Sequence, residues 1–266
     1  RIQGADTIFM GFIGAPLGGF LFTIAAVTPW AIQTASFLAA AVLVASIPIS
    51  VAAGAASAAA RSENFVDQMK GGISYLWDQK KLLRLVITTA ALGFCFNVAT
   101  ATQVLFALKV QMVPEQSYGL LATAGAIGAL GGAYIAHRAS QKVGRGLALA
   151  TGITVTALFE LLQGLAPNPW LYALFMALGG FGVAAWNILL MSLYHSLIPN
   201  EIFGRIHGTR RTLVWGLMPI GAAIGGVLAK IDLRLPYIIG GVVSVVIAAA
   251  SFAFIRQLGD ESEVAH

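Results

Sequence analysis

Polar side chains set inside long apolar runs are where this sequence can do chemistry, because a charge or amide in hydrocarbon costs free energy unless something uses or pairs it. Of the eleven acidic residues, only Glu160 sits well inside such a run, and Asp6 stands at the edge of another. A carboxylate there can take up and release a proton, so both are candidates for coupling an ion gradient to a conformational change. Asn97 and Gln103 share one run, and Trp186 sits beside Asn187 in a second. Amides and an aromatic surface suit an amphipathic ligand, although each of the four can equally serve to bond a neighbouring helix. His137, His195, His207 and His266 are dispersed at run ends, and Cys95 is the single cysteine, so no metal site, disulfide or cofactor is expected. HExxH, GxSxG and paired intramembrane aspartates are absent, which argues against an enzyme.

The elements that must position these residues follow from composition. The chain is 58% hydrophobic and 10% charged, with a mean hydropathy of +0.82; soluble domains carry about 25% charged residues. So few charges cannot cover a water-facing surface, so the solvent for most of the chain is lipid. A helix needs about 20 apolar residues to cross a bilayer. Eight such runs are predicted, at 6–27, 30–50, 83–108, 117–136, 147–166, 170–194, 212–230 and 236–255. Helices are expected because lipid offers no partner to an unpaired amide. The fold class is therefore an all-α polytopic membrane protein.

Basic residues mark the cytoplasmic side. With the loop between the second and third runs inside, thirteen of the sixteen Lys and Arg residues face the cytoplasm, and only Lys109, Lys230 and Arg234 lie opposite. Both ends of this chain are then cytoplasmic, and Arg138, Arg145, Arg205 and Arg210 lie at cytoplasmic helix ends. The net charge of +5 arises from these loops, without the basic patch on a soluble fold that nucleic-acid binding requires. In the one long loop, 55–82, Phe65, Met69, Ile73 and Leu76 recur at helical spacing, predicting an amphipathic helix on the inner membrane surface that links two bundles.

Glycine spacing exposes a repeat. Gly14, Gly18 and Gly19 around Pro16 in the first run match Gly221, Gly225 and Gly226 in the seventh, and Arg1-Ile-Gln-Gly4 upstream matches Arg205-Ile-His-Gly208. Small residues one turn apart let helices approach closely in lipid, and Pro16 and Pro219 can soften their helices for conformational change. Matching runs six apart imply a six-span unit repeated in parallel. The seventh run is fifth in its unit, so the first run is fifth in the preceding one. Four further spans are expected upstream, for twelve in all, and a cavity between the halves needs them. The predicted units are 1–54, the last two helices of an N-terminal bundle; 55–82, the linker; 83–256, a C-terminal six-helix bundle; and 257–266, a tail.

These motifs resemble those of the major facilitator superfamily over essentially the whole chain. Gly11 to Gly19 resembles the antiporter motif of exporters in the fifth helix, with Ala15 and Pro16 in swapped order. Gly131-Gly132 through Arg138 to Gly144-Arg145 resembles the loop motif between the second and third helices of a half, with His137 and no acid before the arginine. Pro199 to Gly204-Arg205, then Pro219 and Gly221, is similar to the branch of macrolide-efflux and enterobactin-export proteins. The resemblance implies a twelve-helix fold of two parallel halves in the plasma (inner) membrane. It places Asn97, Gln103, Trp186 and Asn187 on cavity-lining helices and Glu160 on a peripheral one, about six residues from the outer end. It gives the loop arginines a latching role besides their topological one.

The function expected is proton-coupled efflux of an amphipathic or hydrophobic small molecule by rocking-bundle alternating access, carried out by a monomer. A lipid or lysolipid flippase and a nutrient importer share the scaffold; a membrane sensor or scaffold without flux is the reading from another class.

Overall fold

A computed structural model describes residues 27–46 and 65–264. Every regular element among them is helical. In chain order they are α1 (Thr28–Ala45), α2 (Phe65–Asp78), α3 (Lys80–Thr100), α4 (Gln103–Lys109), a 3-10 turn at Glu115–Ser117, α5 (Tyr118–Val143), α6 (Arg145–Leu165), α7 (Pro169–Leu197), α8 (Asn200–Ala229) and α9 (Leu235–Val264). Among the described residues, six stretches are long and apolar enough to cross a membrane: Lys80–Lys109, Glu115–Val143, Arg145–Leu165, Pro169–Leu197, Ile202–Ala229 and Leu235–Ser262. They cover the last six predicted runs to within one residue. The 30–50 run is represented by α1. The 6–27 run, with Arg1, Asp6, Gly14, Pro16, Gly18 and Gly19, lies outside the described residues apart from Val27.

Two boundaries differ from expectation. The run predicted at 83–108 is broken after Thr100. There Asn97, Thr100 and Thr102 turn their side chains back onto the carbonyls of Gly93, Phe96 and Ala99. Such bonds compete with the helical ladder and bend it, so the chain restarts as α4. The run predicted at 212–230 is only the later part of α8, which begins at Asn200 and carries Arg210 and Arg211 within the helix. Charge density hid this first part, although a helix needs no apolar side chains to continue its own backbone bonds.

Helix packing has an internal symmetry. The extensive contacts are α6 with α9, α5 with α7, α6 with α7, α3 with α8, and α3 with α9. Exchanging α3 with α7, α5 with α8 and α6 with α9 maps this set onto itself. The glycines follow the same exchange. A Cβ on Gly128 or Gly132 of α5 would collide with the α7 backbone at Ala177 and Phe181, and one on Gly221 or Gly225 of α8 would collide with the α3 backbone at Phe94 and Val98. Two GxxxG faces thus seat two partner helices in equivalent ways. Exchanged helices run in opposite directions, so the six form a 3+3 inverted repeat. Gly226 does not share this packing: an added Cβ there would meet nothing within 4 Å.

Side chains tie the two ends of the bundle. At the end rich in Lys and Arg, Lys81 Nζ pairs with Glu261 Oε2 at 2.5 Å, and Arg145 donates to Ser196 and Ser262. Gly144, at φ 85° and ψ 151°, joins α5 to α6 in a single residue, a conformation open essentially to glycine alone. At the opposite end Phe106 packs on Tyr172 and Tyr237, whose hydroxyls lie 3.1 Å apart. Arg234 donates to the carbonyls of Gly164 and Ala166, closing the end of α6. Asn168 caps α7 by accepting from the Leu171 amide, with Pro169 in the first turn. α2 forms where the amphipathic pattern predicted it. It buries Leu76, sets Gly72 against Thr209 of α8, and leaves Ile73 and Trp77 outward.

Large apolar side chains cover the outside, among them Trp30, Phe37, Leu120, Ile127, Trp170 and Val246. In water this surface would aggregate; against lipid it is the solvated face.

Candidate substrate cavity

Polar residues from four helices converge on one cavity of about 420 Å³. α3 brings Thr100, α4 brings Gln103, α6 brings Thr156, Glu160 and Gln163, and α7 brings Met176 and Asn187. Glycines make the walls thin. Gly179 admits the Gln163 amide, and Gly180 lies against the Gly125 backbone. The break after Thr100 positions Gln103, which is half-buried with its amide 3.9 Å from Met176 Sδ. Asn187 is exposed on the cavity-bearing face of α7.

Glu160 forms the deep wall. It is 4% exposed, held between α6 and α9 by a bond from Ser244 Oγ to Oε2 at 3.1 Å. Its other oxygen, Oε1, is buried without a hydrogen-bond partner and faces Gly240 of α9. No cation among the described residues pairs with it. Although it stands near the C-terminal end of α6, the α6–α9 contact encloses it. An unpaired buried carboxylate is stable as the acid or beside an incoming cation.

The structure brings Gln103, Asn187 and Glu160 together and leaves the other candidates apart. Asn97 donates to Gly93 of its own helix and packs beside Gly221, which is a helix-bonding role. Trp186 is half-buried against the main apolar core, over Gly152. Asp6 lies outside the described residues, as does the Arg205 side chain.

The loop arginines separate as well. Arg138 is exposed, over the Tyr134 ring at 4.2 Å. Arg145 ties three helix ends. Arg210 stacks on Tyr194 at 4.6 Å and approaches His207 Nδ1 at 3.4 Å. The paired roles of Thr156 and Gln163 were missed in the sequence; their spacing from Glu160, four and three residues along one helix face, is the signal that finds them.

The family model of the Major Facilitator Superfamily matches residues 104–265. The Gentisate transporter of Corynebacterium glutamicum is 26% identical over 152 residues, covering 54% of this chain and 33% of that protein. The chain thus spans about a third of the length of this curated relative. No solved structure matches it. With six membrane-length helices in an inverted repeat and a family match over more than half of its length, this chain belongs to the Major Facilitator Superfamily.

Proposed function

We propose that the protein is a secondary transporter rather than an enzyme, and that it moves a small amphipathic molecule across the plasma membrane in exchange for protons. One observation carries the proposal: Glu160, a buried carboxylate with an unpartnered oxygen, lines the same cavity as Gln103 and Asn187. Binding of solute and of proton in one space lets each favour a different arrangement of the bundle, which is what coupling requires.

Glu160 takes up and releases the coupling proton. Ser244 orients the carboxyl through Oε2 and leaves Oε1 toward the proton. Gln103 and Asn187 supply hydrogen bonds to the solute, and Met176 and Phe96 supply apolar contact. The basic end of the bundle faces the cytoplasm, where cations meet lipid phosphates and helix C-termini. The helices after residue 83 act as one bundle rocking against the other, with 55–82 as the connection and the GxxxG contacts as the packing that keeps this bundle rigid.

Outward transport is supported by the likeness of Gly11–Gly19 to the exporters' antiporter motif. The full-length protein in proteoliposomes should show saturable solute flux that accelerates under an imposed pH gradient. Flux without saturation, or saturable flux indifferent to the gradient, would overturn the respective part of the proposal. The sidedness of accumulation decides the direction.

A further inference from the structure

A second cavity, of about 820 Å³, opens at the basic end between α5, α7 and α8. Its chemistry differs from the first. Arg210, Arg211 and His207 come from α8, and no carboxylate among the described residues lines it. Each arginine lies over an aromatic ring, Arg210 over Tyr194 at 4.6 Å and Arg211 over Trp215 at 3.8 Å. Neither makes an ion pair among the described residues. Arg210 Nε is buried and has no hydrogen-bond partner, although the guanidinium is only half-enclosed.

A guanidinium held over a ring has fewer rotamers open to it, and its forked N–H groups match a planar carboxylate. Tyr134 and Trp215 line the same space and offer faces for a flat apolar body. Asn187 lines both cavities, so an anion held here is adjacent to the space that Glu160 borders.

We infer that the Arg210 cavity binds a small aromatic carboxylate, its carboxylate on Arg210 with His207 beside it and its ring between Tyr134 and Trp215. This names the class of molecule carried and rests on the transport reading above. A bare phosphate, free or on a lipid, would use the arginines but leave the aromatic walls idle.

The test is binding of radiolabelled benzoate to the full-length protein in nanodiscs of neutral lipid. Saturable binding is expected, with benzamide and inorganic phosphate poor competitors. Arg210→Gln should weaken binding about 10- to 100-fold, the range for a hydrogen bond to a charged group. Should that variant melt before assay, Arg211→Gln on the exposed side of α8 should still weaken benzoate binding several-fold. Equal competition by benzamide, displacement by phosphate or by vesicles of phosphatidylglycerol, or unchanged affinity in both variants would overturn the inference. Saturable flux of a neutral amphipathic solute with no benzoate binding sinks this site alone. Arg210-dependent benzoate binding with no flux of any solute sinks the transport reading and leaves the site.

Discussion

Replacing Gly225 by alanine puts a methyl group where the backbone of α3 already stands, at Val98. The neighbouring Gly226 carries the same backbone in the same helix, and a methyl group there meets nothing within 4 Å. Both substitutions gain the same helix propensity, about 1 kcal/mol relative to glycine. The difference between them is therefore the steric term alone. Overpacking against a backbone that cannot rotate away costs about 1–3 kcal/mol. At about 2–4 °C per kcal/mol for a unit of this size, Gly225→Ala should melt about 2–12 °C below Gly226→Ala. Thermal unfolding of both variants in the same detergent reads this directly. Equal melting temperatures would refute the claim that the α3–α8 contact rests on the glycine face.

Two further stability predictions test the ends of the bundle. Gly144→Ala forces a side chain into φ 85° and should destabilise by about 1–3 kcal/mol, seen as a lower melting temperature than that of the parent. Tyr172→Phe and Tyr237→Phe each remove one hydroxyl of the buried pair. Their double-mutant cycle should show a coupling of about 0.5–1.5 kcal/mol, and a coupling of zero would mean the hydroxyls do not bond.

Much of the fold was legible because lipid imposes simple rules. Apolar length gives the spans. The matches at Gly221 and Gly225 pointed to helix packing, which the structure places against α3. Gly226 shared the sequence pattern without sharing the contact, because a spacing rule cannot tell which side of a helix a neighbour occupies. The break after Thr100 was missed because Asn97 and Gln103 read as cavity polarity, and the hydroxyls of Thr100 and Thr102, which compete with the helix, drew no reading. The early start of α8 was missed because hydropathy measures side chains, whereas the helix is held by its backbone.

The site was half legible. Gln103 and Asn187 were picked as amides in apolar runs, and both line one cavity. Asn97 and Trp186 passed the same filter and pack instead on their own bundle, since polarity alone does not give the direction of a side chain. Glu160 was picked for its charge, but its depth came from α9: Ser244 and Gly240 lie eighty or more positions along the chain, and no local pattern announces them. The inverted relation between the two glycine faces was equally hidden, because repeats that run in opposite directions in the membrane leave little likeness in sequence.

The central claim, that Glu160 couples protons to solute movement, is tested most directly by Glu160→Gln in proteoliposomes, comparing gradient-driven flux with solute exchange at equal pH. The account predicts that the variant keeps saturable exchange and loses the response to an imposed pH gradient. A variant that still accumulates solute under the gradient at the parent's rate would contradict it.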